Sequence, residues 1–122
     1  MSDYTFKKTD RLLKRREFLQ TIDAGKKIHS SCFVAGFRKN TLNRHRLGVT
    51  VTKKVGGAVT RNRIKRIVRE HFRQNRQKLS GFWDINIIAK KKAADVSSGV
   101  LNTSLDETFD KANKVLSSNT SL

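Results

Sequence analysis

Lys53-Lys54-Val55-Gly56-Gly57-Ala58-Val59-Thr60-Arg61-Asn62-Arg63-Ile64-Lys65-Arg66-Ile67-Val68-Arg69-Glu70-His71-Phe72-Arg73-Gln74-Asn75-Arg76 reads as a short basic loop running into a helix with two unlike faces. At about 100° per residue, Ile64, Ile67, Val68, Phe72 and Leu79 fall on one side, with His71 among them. Asn62, Lys65, Arg66, Arg69, Arg73 and Arg76 fall on the other. The first face calls for a protein core and the second for a polyanion. Arg61, Lys65, Arg69 and Arg73 repeat at i,i+4, and each like-charge pair is unfavourable by roughly 0.2–0.5 kcal/mol on an isolated helix. Glu70 offsets part of this through Arg66 and Arg73, and no other acid lies between Lys53 and Leu79. Ordinary solvated faces mix the two signs. A local rule broken this consistently has a functional reason, and a phosphate backbone supplies one.

The elements around this helix outline a small mixed domain. Residues 1–13 form a polar, basic arm with scattered anchors at Tyr4, Phe6, Leu12 and Leu13. Lys14 to Ala24 is predicted as a first helix, with Phe18, Leu19 and Ile22 at helical spacing and Gly25 as its stop. Ser31 to Arg38 alternates as a strand, Thr41 to Arg44 is a polar turn, and Arg46 to Thr52 is a second strand rich in β-branched residues. The basic helix runs from about Ala58 to Leu79 and breaks at Ser80-Gly81. Phe82 to Ala89 is a third strand, closed by the cationic Lys90-Lys91-Lys92. Ser97 to Thr103 reads as a loop. Ser104-Leu105-Asp106-Glu107 is a capping-box pattern opening a last helix to about Ser117, with residues 118–122 as a frayed tail. Strands in one sheet with helices on it make a two-layer α/β or α+β domain. The chain has no proline, so helix ends are loosely marked.

Composition agrees with the local signal. The 122 residues carry 27 Lys+Arg against 10 Asp+Glu, a formal net charge of +17, and 36% hydrophobic residues with seven Phe. That is apolar enough for one core and too apolar for a disordered basic tail. Such charge on a compact domain points to nucleic acid or an anionic membrane. The membrane reading is the weaker one: no apolar run approaches the ~20 residues of a spanning helix, and the Met1-Ser2-Asp3-Tyr4 start lacks a signal peptide's apolar segment. Cys32, the single cysteine, builds neither a disulfide framework nor a four-ligand zinc site and reads as a small buried strand residue.

No protein-borne active site is expected. His71 lies near the apolar helix face, His29 and His45 fall at loop positions, and the acids sit mostly toward the termini, so no spacing assembles an acid–base pair or metal cage. Gly56-Gly57 precedes a helix, but neither G-x-G-x-x-G nor a P-loop is present. The glycines read as a tight turn delivering Lys53, Lys54 and the helix start to one surface. Phe18, Phe33 and Phe37 are candidates for base stacking, with core the favoured reading of each, and Trp83 reads as packing.

The segment Lys53 to Arg66, continuing through Arg69-Glu70-His71-Phe72-Arg73, closely resembles the signature of the bacterial ribonuclease P protein component, with Arg61-Asn62-Arg63 as its "RNR" core. Arg11-Leu12, Arg16-Glu17-Phe18, Arg46-Leu47-Gly48-Val49 and Ile87-Ile88-Ala89-Lys90 agree in order, so the resemblance covers roughly residues 5–117. It implies one small α/β domain of order α-β-β-β-α-β-α, with a central mixed sheet and a left-handed crossover against the usual right-handed rule. Three strands are thus implied before the basic helix where the pattern alone yields two, the region from Arg38 to Thr52 being expected to supply the other.

The resemblance also implies a division of labour. A catalytic RNA removes the 5′ leader of precursor tRNA with Mg²⁺, and the protein, a cytoplasmic monomer bound 1:1, contacts that RNA and the leader. By position, Lys53, Lys54, Arg61, Asn62, Arg63, Lys65, Arg66, Arg69 and Arg73 would bind RNA. Phe18, Ile22, Val34 and Gly36 would line the leader cleft, with no metal ligand among protein side chains. Gly36 stands where several relatives carry Tyr, so leader binding here is expected to lean on shape and charge, with Phe33 and Phe37 in the core. Two other readings remain: a general RNA-binding accessory protein without a role in tRNA maturation, and a DNA-binding helix module, for which Asn62 is the main base-contacting candidate.

Overall fold

A computed structural model describes residues 26–41, 44–79 and 81–120. The expected arm and first helix, with Phe18, Ile22 and Gly25, lie outside the described residues. Four strands form one sheet: β1 (Lys26–His29), β2 (Phe33–Lys39), β3 (Arg46–Thr50) and β4 (Trp83–Ala89). Their spatial order is β1-β2-β4-β3, with β1/β2 and β2/β4 antiparallel and β3/β4 parallel. A parallel pair needs a crossover, and the basic helix α1 (Ala58–Asn75) lies within it. Helix α2 (Ser98–Thr120) follows β4 through a short 3₁₀ turn, Lys91–Asp95.

Burial explains the two layers. Phe33, Ala35 and Phe37 of β2, with Ile85 and Ile87 of β4, are at most 1% exposed and join one core with Ile64, Val68 and Phe72 of α1 and Leu101, Leu105 and Phe109 of α2. Phe33 and Phe37 are therefore core residues, and Trp83 is packing. The opposite parity, Val34, Gly36 and Arg38 on β2, pairs with Ile88, Asn86 and Asp84 on β4. It forms the sheet face turned away from α1 and α2. Asp84 is only 3% exposed there, because Arg46 donates to it through Nε at 2.9 Å and Nη2 at 2.8 Å, and Asn40 Nδ2 donates at 2.8 Å.

Strand ends move by one or two residues from the sequence reading, and four differences are larger. The strand missing before α1 is Lys26–His29, not a piece of Arg38–Thr52, and it places His29 in a strand. With one apolar residue in four it shows no hydrophobic alternation, and as an edge strand bearing lysines it needs none. Helix α1 stops at Asn75, followed by the 3₁₀ turn Arg76–Lys78, and Gly81 takes φ 81°, the left-handed conformation that suits glycine. Helix α2 starts at Ser98, six residues before the expected cap, and runs to Thr120, beyond the expected end near Ser117. Ser97 Oγ accepts the Val100 N–H at 3.3 Å, the cap geometry expected of Ser104. Ser104 instead sits inside the helix, 3% exposed, where its Oγ accepts the Cys32 N–H at 3.0 Å and lies 2.8 Å from Ser30 Oγ. A buried hydroxyl bridging to the β1–β2 turn mimics a cap motif in sequence.

His45 ties the end of α1 to the sheet. Its Nδ1 accepts the Trp83 N–H at 3.1 Å. Burial, and then the Arg76 guanidinium, push its pKa from 6.5 down to about 4, partly offset by the Arg76 backbone carbonyl. The unfolded chain therefore takes up this proton first as pH falls. Stability is intact above pH 6.5 and lost progressively toward pH 4. The loss should reach about 2–3 kcal/mol. Urea unfolding at pH 7.5 and pH 5 should show it, and His45→Asn, which keeps an acceptor but cannot titrate, should flatten the slope.

Candidate nucleic-acid interface

The basic surface is built by a turn and an uncapped helix. Val55 N–H closes a turn on Thr52 O at 3.0 Å, leaving Lys53 and Lys54 exposed. Gly57 is the N-cap of α1, without a side-chain cap, and the first turn carries no acid. The positive end of the helix dipole is thus left unneutralised beside two lysines. Gly56 is held by close approach: a Cβ there would meet Thr60 Cγ2 at 3.1 Å. Gly57 meets no such limit, with nothing within 4 Å of a Cβ and φ at −72°. Gly57→Asp should therefore cap the helix, raising stability by about 0.3–1 kcal/mol. It should weaken RNA binding several-fold by placing a carboxylate on the cationic surface. Thermal unfolding and RNA titration of one variant check both signs.

The nine predicted RNA-binding residues divide by environment. Lys53, Lys54, Asn62 and Arg66 are exposed, while Arg61, Arg63, Lys65, Arg69 and Arg73 are half-buried. Arg63 donates through Nη2 to Val96 O at 3.0 Å and contacts Ser98 Oγ at 3.4 Å, so it also ties α1 to the start of α2. Arg73 pairs with Glu70 through Nε and Nη2, and Gln74 Nε2 adds a bond to the same carboxylate at 3.1 Å. Glu70 thus pairs with Arg73 as expected, and its second partner is Gln74. Arg61 Nε is buried with no acceptor among the described residues, a donor whose partner the described protein does not supply.

On the sheet's other face, Val34 is half-buried and Gly36 buried, and Gly36 pairs with Asn86, which also pairs with Gly48 of β3. Asn86 was missed in the sequence. It is fully buried, its Oδ1 accepts the Thr50 hydroxyl at 3.3 Å, and its Nδ2 lacks a partner among the described residues. The signal was present in Asp84-Ile85-Asn86-Ile87, whose polar residues share the parity opposite to the core. The His71–Asp106 pair was also missed: Nε2 lies 2.7 Å from Oδ1 across the two helices. This pair is an interhelical tether, with Nδ1 buried and without a partner among the described residues. Among the described residues no three His, Cys, Asp or Glu side chains come together as a metal site, and no helix is long and apolar enough to cross a membrane.

A family model described as Ribonuclease P matches residues 6–113. The chain belongs to the ribonuclease P protein family. It is 57% identical over 114 residues to the ribonuclease P protein component of Desulfosudis oleivorans, covering 93% of this chain and 94% of that one. It is 42% identical over 91 residues to that of Thermotoga maritima, covering 75% and 78%. The fold is similar to the Staphylococcus aureus RNase P protein, with TM-score 0.80 at 32% identity over 84% of this chain and 94% of that one. The Thermotoga maritima RNase P protein gives TM-score 0.73 at 35% identity over 85% and 96%. The chain is thus a protein subunit of ribonuclease P, an RNA-binding part of a tRNA-processing ribonucleoprotein, and not a generic RNA-binding accessory.

Proposed function

We propose that this ribonuclease P protein is the non-catalytic subunit, one RNA-binding domain over residues 1–122 that joins one catalytic RNA as a cytoplasmic monomer. The surface around Lys53, Lys54, Arg61, Asn62, Arg63, Lys65, Arg66, Arg69 and Arg73 binds that RNA. The sheet face holding Val34 and Gly36, with Phe18 and Ile22, takes the 5′ leader of precursor tRNA. Mg²⁺ is assigned to the RNA-based reaction, as membership of the family supports. The observation that carries this reading is the split of α1. Ile64, Val68 and Phe72 are fully buried, while its other side is cationic with a single acid. Such a surface binds polyanion by releasing counterions.

The test is precursor-tRNA cleavage at low Mg²⁺ with the cognate RNA, with and without protein. Cleavage at the mature 5′ end that requires the RNA and is enhanced by the protein supports the assignment. Cleavage by nuclease-free protein alone sinks the non-catalytic role.

A further inference from the structure

Arg66, Ile67 and Glu70 of α1 and Asn102 of α2 line a cleft of about 280 Å³ between the two helices. The three α1 residues share one side of their helix through i,i+3 and i,i+4 spacing. Ile67 is half-buried against the core and gives the cleft an apolar wall, while the other three side chains are exposed. Arg66 has no partner among the described residues, because Glu70 is taken by Arg73 and Gln74.

Glu70 is out of place by charge. It is the single acid on a helix side suited to phosphate, and it would repel a phosphate that approached it. Three hydrogen bonds nevertheless hold it there: Arg73 donates through Nε at 3.0 Å and through Nη2, and Gln74 Nε2 donates at 3.1 Å. The hydrogen bond from Arg73 also holds its carboxyl below the ordinary carboxylate range, so it is an ionised acceptor. A carboxylate has about four lone-pair sites. Oε2 accepts only the Arg73 Nε–H and keeps one of them. On the α2 side, Asn102 Nδ2 donates to Ser98 O at 3.1 Å, which fixes the amide and leaves Oδ1 without a partner among the described residues. The cleft thus presents one acceptor from each helix, beside a guanidinium and an apolar wall.

Unpaired RNA bases are read through hydrogen bonds to their edges. Of the four, guanine alone carries two adjacent donor groups, N1–H and N2–H₂. Adenine and cytosine each offer one amino group next to a ring acceptor, and uracil offers one N3–H between two carbonyls. A base also brings no charge toward Glu70, whereas its own phosphate suits Arg66.

We propose that this cleft takes an unpaired guanine of the catalytic RNA, with Glu70 Oε2 and Asn102 Oδ1 accepting from N1–H and N2–H₂ and Arg66 neutralising the phosphate of the same nucleotide. The inference rests on the assignment of the cationic α1 surface to the catalytic RNA. Continuity of the cleft with that surface selects this RNA as the occupant.

The experiment measures binding of the full catalytic RNA and of a uridine homopolymer to the parent, Glu70→Ala and Asn102→Ala proteins. Kethoxal, which modifies N1 and N2 of unpaired guanines, probes the same complexes with and without precursor tRNA. Charge alone predicts that losing an acid tightens binding to every RNA. The cleft predicts opposite signs for Glu70→Ala: about two- to threefold tighter on the homopolymer, about three- to tenfold weaker on the catalytic RNA. Asn102→Ala changes no charge. It should leave homopolymer binding and the salt slope unchanged and weaken catalytic-RNA binding by about three- to tenfold. One guanine of the catalytic RNA, protected by the parent, should become reactive with both variants. Tighter or unchanged binding of the catalytic RNA by Glu70→Ala would overturn the site, as would guanine protection that ignores both substitutions. Variant-sensitive protection confined to precursor tRNA would overturn the choice of occupant. A parent that binds the catalytic RNA no more tightly than the homopolymer would bring down the assignment of the α1 surface, a result distinct from failure of the cleft alone. Both side chains are exposed, so thermal unfolding should show both variants folded.

Discussion

Asp84→Ala is expected to destabilise the protein by about 3–5 kcal/mol, a large part of the total of about 5–15 kcal/mol for a small domain. The Arg46 and Asp84 side chains are 17% and 4% exposed, so the pair is largely removed from water. The carboxylate accepts both Arg46 bonds and also the Asn40 amide, which in turn donates to Arg44 O at 3.0 Å. Removing Asp84 leaves a guanidinium desolvated between β3 and β4 without its carboxylate and strips the Asn40 amide of one acceptor. The cost is that of an uncompensated charge, larger than the net worth of the pair. Replacing both partners, Arg46→Met with Asp84→Leu, should therefore recover most of the stability. Urea unfolding of the parent and the two variants decides it. A double variant as unstable as Asp84→Ala would show that the pair itself, and not the orphaned charge, carries the energy.

Arg66→Glu is expected to weaken binding to the catalytic RNA by roughly ten- to a hundredfold, about 1.4–2.8 kcal/mol, at moderate salt. The folded chain should keep its stability within about 0.5 kcal/mol, because Arg66 lies on the exposed side of α1. The substitution removes one cation that releases counterions on binding and introduces a repelled charge. The log K against log[salt] line should become shallower by about one unit. Arg63→Glu should behave differently. Its guanidinium also bonds the Val96 carbonyl, so the same reversal should lower both RNA affinity and thermal stability. Filter binding across a salt series, read beside thermal unfolding, separates the two. Equal stability losses at both positions would mean that Arg66 also supports the fold.

Much of the molecule was legible because its signals are local. The period of Ile64, Val68 and Phe72 places α1 and its buried side, and the Arg61-Asn62-Arg63 segment carries the family likeness within a few residues. The alternation Phe33, Ala35, Phe37 marks the buried side of β2, and all three are indeed in the core. What stayed hidden depends on partners far along the chain. Lys26–His29 is a strand because β2 pairs with it, not because of its own composition. Ser104 looks like a cap, yet its hydroxyl serves the Cys32 amide 72 residues earlier. His71 meets Asp106 only because α1 packs on α2, and Asp84 becomes the hub of a polar cluster only because register sets it between Arg38 and Arg46. Periodicity and charge along the chain thus determined which side of α1 is cationic and which meets the core, since both follow from neighbours three and four residues apart. Pairing register and helix docking decided which polar residues become tethers, since that depends on the groups that burial brings against them.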